Sequence, residues 1–428
     1  MRVLVVGGGG REHALCWAVK RDAPDATLFA APGNPGSATL ATHLPIATTA
    51  LDQMVQGAVD QRIDLAIIGP EAPLAAGLAD QLRAAGIATF GPSAAAAQLE
   101  ASKAFAKDVM RRAGVPTAES ATFTDVDKAL AYIGAHAEPL VVKASGLAAG
   151  KGAVVCATRA EAAATARAML AEGRFGDAGR EIVIEDFLDG EELSVLALTD
   201  GEQVVVMPPA QDHKRLGEGD TGPNTGGMGA YCPVGLSTRA LLGRVRREVL
   251  IPTLRAMSRA GTPYSGVLYA GLMIRPDGTP AVIEFNCRFG DPETQAVVPV
   301  LPPGLTHAMG AIALGSWKPE SEIIDPAGAA VTTVLASRGY PEVPETGAAV
   351  SIPDDLGPNV LVFHAGTKRD DAGVLRVSGG RVLAVTGLGP DVATAARTSQ
   401  AACEQIAFDG KTYRRDIGRR EIQRARTA

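Results

Sequence analysis

The amino-acid sequence predicts a multidomain protein that combines α/β and α+β architecture. Its 428 residues exceed the usual size of one domain and suggest about three. The first hundred residues alternate apolar strand-like runs with helical segments, which is typical of a doubly wound α/β sheet. The next segment carries a Gly-rich hairpin and long strands, and the chain from about residue 329 reads mainly as strands. Three different architectures are therefore expected in succession.

Composition narrows the class of protein. The net charge of −6 disfavours nonspecific binding to nucleic acid, which requires a basic surface. No apolar run reaches the length of a membrane span, and the start MRVLVVGGGG reads as a strand and turn rather than a signal peptide. The five cysteines are scattered, without a C-x-x-C pair, which fits a reducing compartment and no structural zinc. We expect a cytoplasmic protein with no nucleic-acid or membrane partner.

The N-terminal unit begins with the strand RVLVV, which runs into the turn GGGG and then a helix. A dinucleotide fingerprint starting at Gly7 would need glycine at position 12, where Glu12 stands, so the fingerprint is broken. A Gly-rich turn into a helix still suits a phosphate, although a plain tight turn remains open as an alternative. The turns PGNPG and GPEAP follow at strand ends, where doubly wound sheets bind ligands.

The middle segment opens with the loop KASGLAAGKGAVV, residues 143–155, which resembles a phosphate-binding loop. It is not a P-loop, because only three residues separate Gly146 from Gly150 and because Gly152 stands where a P-loop has serine or threonine. The run GAVVCAT that follows predicts a strand instead of a helix. The pattern thus predicts a β-hairpin with a flexible tip, either a nucleotide lid or an ordinary permissive loop.

Two lysines and an acidic strand end accompany this loop. Lys103 and Lys143 bracket it and could contact a triphosphate, whereas either alone would be an ordinary surface lysine. The run EIVIEDFLDGEE ends a buried strand at Glu185, where free backbone groups could bond a planar base. Glu192 could then hold ribose hydroxyls, with a solvated acidic turn as the alternative.

The run EFNCRFGDPETQ places Glu284, Asn286 and Arg288 at alternate positions of a strand, so that they share one face. Carboxylate and amide oxygens suit Mg²⁺, and a guanidinium suits a carboxylate or a transferring phosphoryl group. An exposed polar sheet face is the alternative. Cys287 points to the opposite face and is expected in the core.

In this order, the lysines, the glycine hairpin, the acidic strand end and the late EFN resemble an ATP-grasp domain, and the whole chain is similar to the phosphoribosylamine–glycine ligase family. Nine segments carry the resemblance: VLVVGGGGREHAL, PGNPG, GPEAPL, KASGLAAGKG, DHKR, GPNTGGMGAY, EFNCRFGDPETQ, VFHAGT and FDGKTYRRDIG. The resemblance implies an N-terminal α/β domain over residues 1–102. It implies a central ATP-grasp domain over 103–328, with a mobile lid subdomain at about 118–187, and a mainly β C-terminal domain over 329–428.

The resemblance also implies the reaction and its cofactors. A ligase of this family forms a carbon–nitrogen bond between glycine and 5-phosphoribosylamine through glycyl phosphate. The products are glycinamide ribonucleotide, ADP and phosphate, in de novo purine (IMP) biosynthesis. ATP and Mg²⁺ or Mn²⁺ are the implied cofactors, and the implied partners are small molecules bound by a monomer.

The family's roles carry over to matching residues of this sequence. The implied nucleotide contacts are Lys103, Lys143, Ser145, Gly146, Gly150, Lys151, Gly152, Glu185, Phe187, Leu188 and Glu192. The implied metal ligands are Glu284 and Asn286, and the implied catalytic residues are Arg288, Asp212 and Lys214. The implied substrate contacts are Gly9, Gly10, Asn34, Gly36, Glu71, Thr225, Gly226, Gly227, Met228 and Gly229.

The chain departs from the wider ATP-grasp pattern at one position. Many such ligases carry a second acidic metal ligand twelve residues before the Glu of EFN, but here that position is Leu272. The metal shell is therefore under-specified by the sequence. Two alternatives stay open at this point: a ligase of the same fold for another amino acid or amine, and a nucleotide-binding protein without catalysis.

Overall fold

The N-terminal unit is a parallel sheet flanked by helices, in a computed structural model that describes residues 1–148 and 151–427. Its strands are β1 (Arg2–Gly7), β2 (Thr27–Pro32), β3 (Thr42–His43), β4 (Leu65–Ile68) and β5 (Ala88–Phe90). Its helices are α1 (Gly10–Asp22), α2 (Leu51–Asp60), α3 (Glu71–Ala75), α4 (Leu78–Ala84) and α5 (Ala94–Ala101). A short 3₁₀ turn lies at Ser37–Thr39.

The strand order β3-β2-β1-β4-β5 confirms the predicted doubly wound topology. β1 lies at the centre and is covered by helices on both faces, so its residues Val3–Val6 are fully buried. Burial on both faces explains why this strand is continuously apolar rather than alternating. The order reverses between β1 and β4, the position at which ligands bind in such sheets.

The segment predicted to be the lid subdomain, called the lid below, follows the helix α6 (Lys103–Ala113). Its elements are β6 (Ser120–Phe123), α7 (Val126–Ala135), β7 (Leu140–Ala144), β8 (Ala153–Cys156), α8 (Arg159–Leu170) and β9 (Ile182–Asp186), with a 3₁₀ turn at Gly176–Gly179. The strands form an antiparallel sheet in the order β6-β9-β7-β8. β7 and β8 pair directly, which confirms the predicted strand–loop–strand hairpin.

The body of the central unit is built on a second antiparallel sheet, ordered β11-β10-β16-β17. Its strands are β10 (Glu191–Thr199), β11 (Val204–Val206), β16 (Gly266–Ile274) and β17 (Pro280–Asn286), and between them lie β12 (Gln211–Asp212), β13 (Arg215–Gly217), β14 (Thr221–Asn224) and β15 (Gly229–Cys232). The helices are α9 (Arg239–Val245), a π-helical segment (Arg246–Leu250), α10 (Ile251–Arg259), α11 (Glu293–Val297), a 3₁₀ turn (Val298–Val300) and α12 (Leu305–Ala313).

The C-terminal unit is mainly β, as the sequence predicts. Its elements are β18 (Ala329–Ala336), β19 (Val360–His364), β20 (Thr367–Arg369), β21 (Leu375–Val377), β22 (Arg381–Gly389), α13 (Val392–Gln405) and α14 (Arg419–Thr427). Its main sheet, β12-β15-β18-β22-β19, takes two strands from the central unit. Hydrogen bonds of one sheet therefore cross the predicted boundary at residue 329, and the boundary stays a prediction.

One expectation about local geometry is wrong. β17 ends at Asn286, so Arg288 lies beyond the strand and not on its third alternate position. The chain bends just after Asn286, and the side chain of Arg288 extends from this bend to the cavity wall. Cys287 is buried with 1% exposure, as predicted.

In the residues that the structure describes, no single helix is long and apolar enough to cross a bilayer. The bent pair Glu293–Val300 and Leu305–Ala313 has the length and composition of a membrane span.

Candidate active site

A cavity of about 500 Å³ lies where the lid sheet, the body sheet, the N-terminal unit and the C-terminal unit meet. Most of the predicted nucleotide, metal and catalytic residues line it. The predicted residues on its wall are Glu71, Lys103, Lys143, Gly152, Glu185, Phe187, Leu188, Glu192, Asp212, Lys214, Thr225, Gly226, Glu284, Asn286 and Arg288. Residues more than two hundred positions apart in the chain, such as Glu71 and Arg288, are thus brought to one cleft.

The lid end of the cavity is apolar. Leu147, Val155 and Phe187 are large hydrophobic side chains that remain 37%, 52% and 42% exposed, respectively, and all three line the cavity. Such exposed apolar surface inside a cleft is the usual wall of a site for a planar ligand. This part of the cleft is suited to a purine base.

The start of α6 places Lys103 at the junction with the lid. The Ser102 hydroxyl accepts from Phe105 N at 3.1 Å and so caps the helix, which makes Lys103 its first residue. The backbone N–H of Lys103 donates to Ser145 O at 2.8 Å, and the Ser145 hydroxyl accepts from Ala104 N at 3.2 Å. Ser145 therefore anchors the base of the glycine loop to α6 and does not itself line the cavity.

Lys143 lies near the end of β7 and is buried. Its ammonium pairs with Glu185 Oε1 and donates to Ile283 O at 3.0 Å, across the boundary between lid and body. The other carboxylate oxygen, Oε2, lies 2.5 Å from the Lys107 ammonium. Lys107 is a functional candidate that motif reading missed, although its position four residues after Lys103 on one helix face could have indicated it.

Glu284 projects from β17 into a ring of cations. Burial alone would raise the pKa of this carboxyl group, but Lys214, Lys103 and further cations hold it below its ordinary value. The group is therefore an ionised oxygen donor. The same burial lowers the pKa of Lys103, an effect that Lys143 reinforces and Glu284 opposes.

The donor set at the end of β17 fits a divalent metal in part. Glu284 and Asn286 supply a carboxylate and an amide oxygen from one strand face, which are the hard donors that Mg²⁺ prefers. Leu272 is fully buried in the sheet and pairs with Val282, so it contributes no donor. No group of three or more His, Cys, Asp and Glu side chains suited to a metal is present in the described part of the chain. The two ligands would need phosphate oxygens or water to complete the shell.

Arg288 is held by acceptors from several parts of the structure. One terminal nitrogen, Nη2, donates to Asn286 Oδ1 at 3.1 Å and lies 2.9 Å from Glu100 Oε1. Nε faces Glu71 Oε2 at the longer distance of 3.4 Å, and Nη1 donates to Phe289 O at 3.2 Å. Burial opposes the charge, but Glu100 and Glu71 raise the pKa of Arg288 further, so the guanidinium stays charged.

Glu100 is a second residue that motif reading missed. It lies on α5 and is almost fully buried, and its Oε2 accepts from Cys287 N at 2.7 Å. Burial raises the pKa of the Glu100 carboxyl group, while Arg288 acts in the opposite direction. One carboxylate therefore fixes both the guanidinium and the backbone that carries it.

Asp212 and Lys214 form a charged wall opposite β17. Lys214 Nζ lies 2.5 Å from Glu192 Oε2. Burial raises the pKa of Asp212 to about 8, and Glu293 adds to this effect while Lys214 opposes it. Glu293, also missed by motif reading, lines the same wall, and its Oε1 accepts from Tyr269 Oη at 2.7 Å.

The far end of the cavity carries two arginines that motif reading did not assign. Arg11 donates to Phe289 O at 3.1 Å, and Arg381, from the C-terminal unit, donates to Asp291 O at 2.9 Å. Both arginines line the cavity. Arg381 also donates to Gly226 O at 2.5 Å and so connects the C-terminal unit to the loop over residues 225–229.

The Gly-rich N-terminal turn is already filled by a carboxylate of the chain itself. Glu12 Oε2 accepts from Gly9 N at 2.7 Å, and side chains added at Gly7 or Gly69 would collide with Glu12. The residue that breaks the dinucleotide fingerprint thus fills the turn with its own carboxylate. Gly8, Gly9 and Gly10 do not line the cavity.

Several other predicted residues lie off the cavity wall. Asn34 is buried and donates to Gly8 O and His364 O, and a side chain at Gly36 would collide with His13. Lys151 donates to Pro341 O at 3.0 Å. The predicted residues away from the wall are Gly9, Gly10, Asn34, Gly36, Ser145, Gly146, Lys151, Gly227, Met228 and Gly229, and Gly150 lies outside the described residues. Their assignment to ligands stays a prediction.

Two antiparallel sheets enclose this lysine-lined cleft, and one carries the glycine hairpin while the other carries the Glu–Asn pair. This arrangement defines the class of ATP-grasp enzymes. Family models agree along the chain. They describe the N domain, the ATP-grasp (A) domain and the C domain of phosphoribosylglycinamide synthetase and match residues 1–100, 101–294 and 330–420. The chain therefore belongs to the phosphoribosylglycinamide synthetase family.

Relatives and solved structures agree with this assignment. The chain is 47% identical to the phosphoribosylamine–glycine ligase of Xanthomonas axonopodis pv. citri, with all of both chains covered, and 47% identical to that of Escherichia coli O6:H1, with 99% of each covered. The crystal structure of the Thermotoga maritima phosphoribosylamine–glycine ligase superposes with a TM-score of 0.87 at 34% identity, covering 97% of this chain and 100% of that one. A biotin carboxylase domain from Hydrogenobacter thermophilus, at 18% identity and a TM-score of 0.73 over 96% and 91% of the chains, shares the fold.

Proposed function

We propose that this chain joins glycine to 5-phosphoribosylamine at the expense of ATP, through a glycyl phosphate intermediate. The products are glycinamide ribonucleotide, ADP and phosphate, a step of purine biosynthesis. The relatives that match the chain over its full length are named for this ligation. The observation that carries the proposal is the convergence of Lys103, Lys143 and Arg288 on the Glu284 carboxylate inside one cleft.

ATP occupies the lid side of the cleft in this proposal. The base lies against Leu147, Val155 and Phe187, with backbone contacts from the strand end at Glu185 and from Leu188. Glu192 holds the ribose, and Lys103 and Lys143 contact the phosphates. We assign the glycine loop, with Ser145, Gly146, Gly150, Lys151 and Gly152, to the phosphate tail, because a loop rich in glycine lets backbone N–H groups approach phosphates without an intervening side chain.

Glu284 and Asn286 would hold the divalent metal, which we assign as Mg²⁺, with Mn²⁺ able to replace it. Both ligands are oxygens, and phosphate oxygens or water would complete the shell. A metal held there would neutralise negative charge on the phosphates of ATP.

In the first step, a glycine carboxylate oxygen attacks the γ-phosphorus, the bond from that phosphorus to the β,γ-bridging oxygen breaks, and ADP leaves. A carboxylate needs this activation because its oxygen is a poor leaving group. Arg288 lies just beyond the end of β17 and stabilises the charge on the transferring phosphoryl group. The protein contributes position and charge, without a covalent intermediate on a side chain.

In the second step, the amine nitrogen of 5-phosphoribosylamine attacks the glycyl carbonyl, and inorganic phosphate leaves. The nitrogen loses one proton as the amide forms. Asp212 and Lys214 line the wall where this amine binds, and the ionised fraction of Asp212, which is a stronger base because its pKa is raised to about 8, accepts the proton. Glu71 and the loop of Thr225, Gly226, Gly227, Met228 and Gly229 complete the substrate pocket.

The remaining assignments concern the 5-phosphate and the cellular setting. We assign the 5-phosphate to the end of the cleft below the turns that contain Gly9, Gly10, Asn34 and Gly36. All five cysteines are buried and free, which supports a reducing compartment such as the cytoplasm. The proposed partners are small molecules, with no nucleic acid or membrane, and the proposed active form is a monomer.

The test measures ADP release with each substrate omitted in turn and with a panel of other amino acids in place of glycine. ADP should form rapidly only when glycine and the amine are both present. Glycine labelled with ¹⁸O in its carboxylate should pass one labelled atom to inorganic phosphate. Formation of AMP and pyrophosphate, or retention of all label in the amide and in unreacted glycine, would exclude the acyl phosphate. Faster turnover with another amino acid would show that glycine is not the preferred substrate.

A further inference from the structure

Lys107 is a buried lysine at the point where the chain enters the lid subdomain. Its ammonium donates to Thr117 Oγ1 at 2.8 Å and to Ala118 O at 3.2 Å, just before β6 begins. The Thr117 hydroxyl donates in turn to Val282 O on β17 at 2.7 Å. Lys107 therefore joins α6, the entry into the lid and the body sheet at one place.

The same ammonium also holds the point where the chain leaves the lid. It lies 2.5 Å from Glu185 Oε2, on β9, the last strand before the chain returns to the body. The backbone passes between the body and the lid at these two crossings, before β6 and after β9. One buried cation thus contacts both of them.

Glu185 is shared between two lysines. Its other oxygen pairs with Lys143, so the cluster contains two ammonium groups and one carboxylate, all at most 9% exposed. The cluster carries one surplus positive charge when both lysines are protonated. If Lys107 were absent, Glu185 and Lys143 would form a neutral pair. The carboxylate would then largely cancel the attraction of Lys143 for an incoming phosphate.

We propose that Lys107 is a positioning residue for ATP, which fixes the lid hinge and neutralises Glu185 so that the charge of Lys143 is available to the phosphates. This inference rests on the proposed nucleotide contact of Lys143 and deepens it. Lys107 acts through Glu185, and its own contact with the phosphates is not required.

The test is direct titration of ATP by calorimetry, without glycine or amine, on wild-type protein and on Lys107→Gln. Glutamine keeps a hydrogen-bond donor and removes the charge. ATP should bind roughly tenfold more weakly, as expected for loss of one nearby charge. Lys128→Gln, an exposed lysine on helix α7 of the same lid, is the matched control and should bind like the wild type.

A second pair of variants, built on Glu185→Gln, separates a positioning role of Lys107 from a general loss of structure. In Glu185→Gln the carboxylate charge is gone, so adding Lys107→Gln should weaken ATP binding far less than it does in the wild type. Equal weakening in both backgrounds would show a merely structural role and overturn the proposal. An unchanged affinity in Lys107→Gln would also overturn it, provided that Lys143→Gln binds ATP more weakly.

The controls distinguish a wrong role for Lys107 from a wrong nucleotide contact for Lys143. If Lys143→Gln itself binds ATP normally, the proposed nucleotide contact is wrong and the role of Lys107 falls with it. Folding of each variant is followed by thermal melting. If Lys107→Gln does not fold, Lys107→Met, which conserves the volume, replaces it. Failure of both to fold would make Lys107 a structural residue and refute the inference.

Discussion

Replacing Arg288 by lysine tests the centre of the proposed chemistry. The guanidinium donates to Asn286 Oδ1 at 3.1 Å and to Phe289 O at 3.2 Å, and it pairs with Glu100 at 2.9 Å. A lysine ammonium is a point charge that cannot reach acceptors on several sides of a planar group. The substitution keeps a positive charge beside Glu100 and removes the guanidinium fork, that is, the planar group that donates to several acceptors at once.

The size of the effect follows from the contacts that are lost. If lysine keeps only the pair with Glu100, two hydrogen bonds that orient the cation disappear, together worth about 3 kcal/mol for donors that carry charge. If the transition state loses this stabilisation of about 3 kcal/mol, the rate falls by roughly a hundredfold. Because Glu100 keeps a cationic partner, the folded protein should lose little stability.

The assay is ADP release at saturating ATP, which gives kcat/KM for glycine, together with ATP affinity by calorimetry. Arg288→Lys should lower kcat/KM for glycine about a hundredfold while ATP affinity stays near wild type. Arg275→Lys, at the exposed turn between β16 and β17, is the control and should change neither quantity. A loss of less than about threefold in kcat/KM by a folded Arg288→Lys variant would refute the role of the guanidinium fork.

Three further substitutions test the remaining parts of the site. Lys143→Ala should weaken ATP binding by at least about tenfold in calorimetry yet remain folded, because Glu185 keeps Lys107 as a partner; normal affinity would remove Lys143 from the site. Glu284→Gln should raise the Mg²⁺ concentration for half-maximal activity by about 10–100-fold, and an unchanged requirement would contradict the metal assignment. The native state retains a proton on Asp212 up to pH about 8, whereas the unfolded chain has lost it by about pH 4, so stability should fall as pH rises between these values. Chemical denaturation across that range should show a shallower fall in Asp212→Asn, and identical profiles would contradict the raised pKa.

The features that sequence reasoning predicted well are encoded locally. The hairpin of β7 and β8 follows from two β-branched runs around a glycine loop, and Glu284 with Asn286 shares a face because strand side chains alternate. Lys103 begins α6 because Ser102 caps it. In each case, residues a few positions apart determine the geometry.

The features that sequence reasoning missed depend on contacts between distant segments. Glu100 accepts from the backbone of Cys287, 187 positions later, and in the sequence it is an ordinary acidic residue of a helix. Arg381 reaches the cavity from another unit of the chain. Glu12 shows the opposite case, because the sequence reveals that the fingerprint is broken, but only the fold shows the carboxylate filling the turn.

The buried cations around the end of β17 affect the balance between anionic and neutral ligands. The chain as a whole carries a net charge of −6, yet the cleft gathers buried cations around a single strand end. Burial lowers the pKa of Lys103 and of Lys107, which means that keeping both protonated costs free energy in the folded protein. An incoming triphosphate offsets that cost, whereas a neutral ligand of the same shape would not. If the chain binds ATP as proposed, the lysines and the arginine around Glu284 favour a triphosphate over a nucleoside, and the apolar lid wall contributes to binding of the base that the two ligands share.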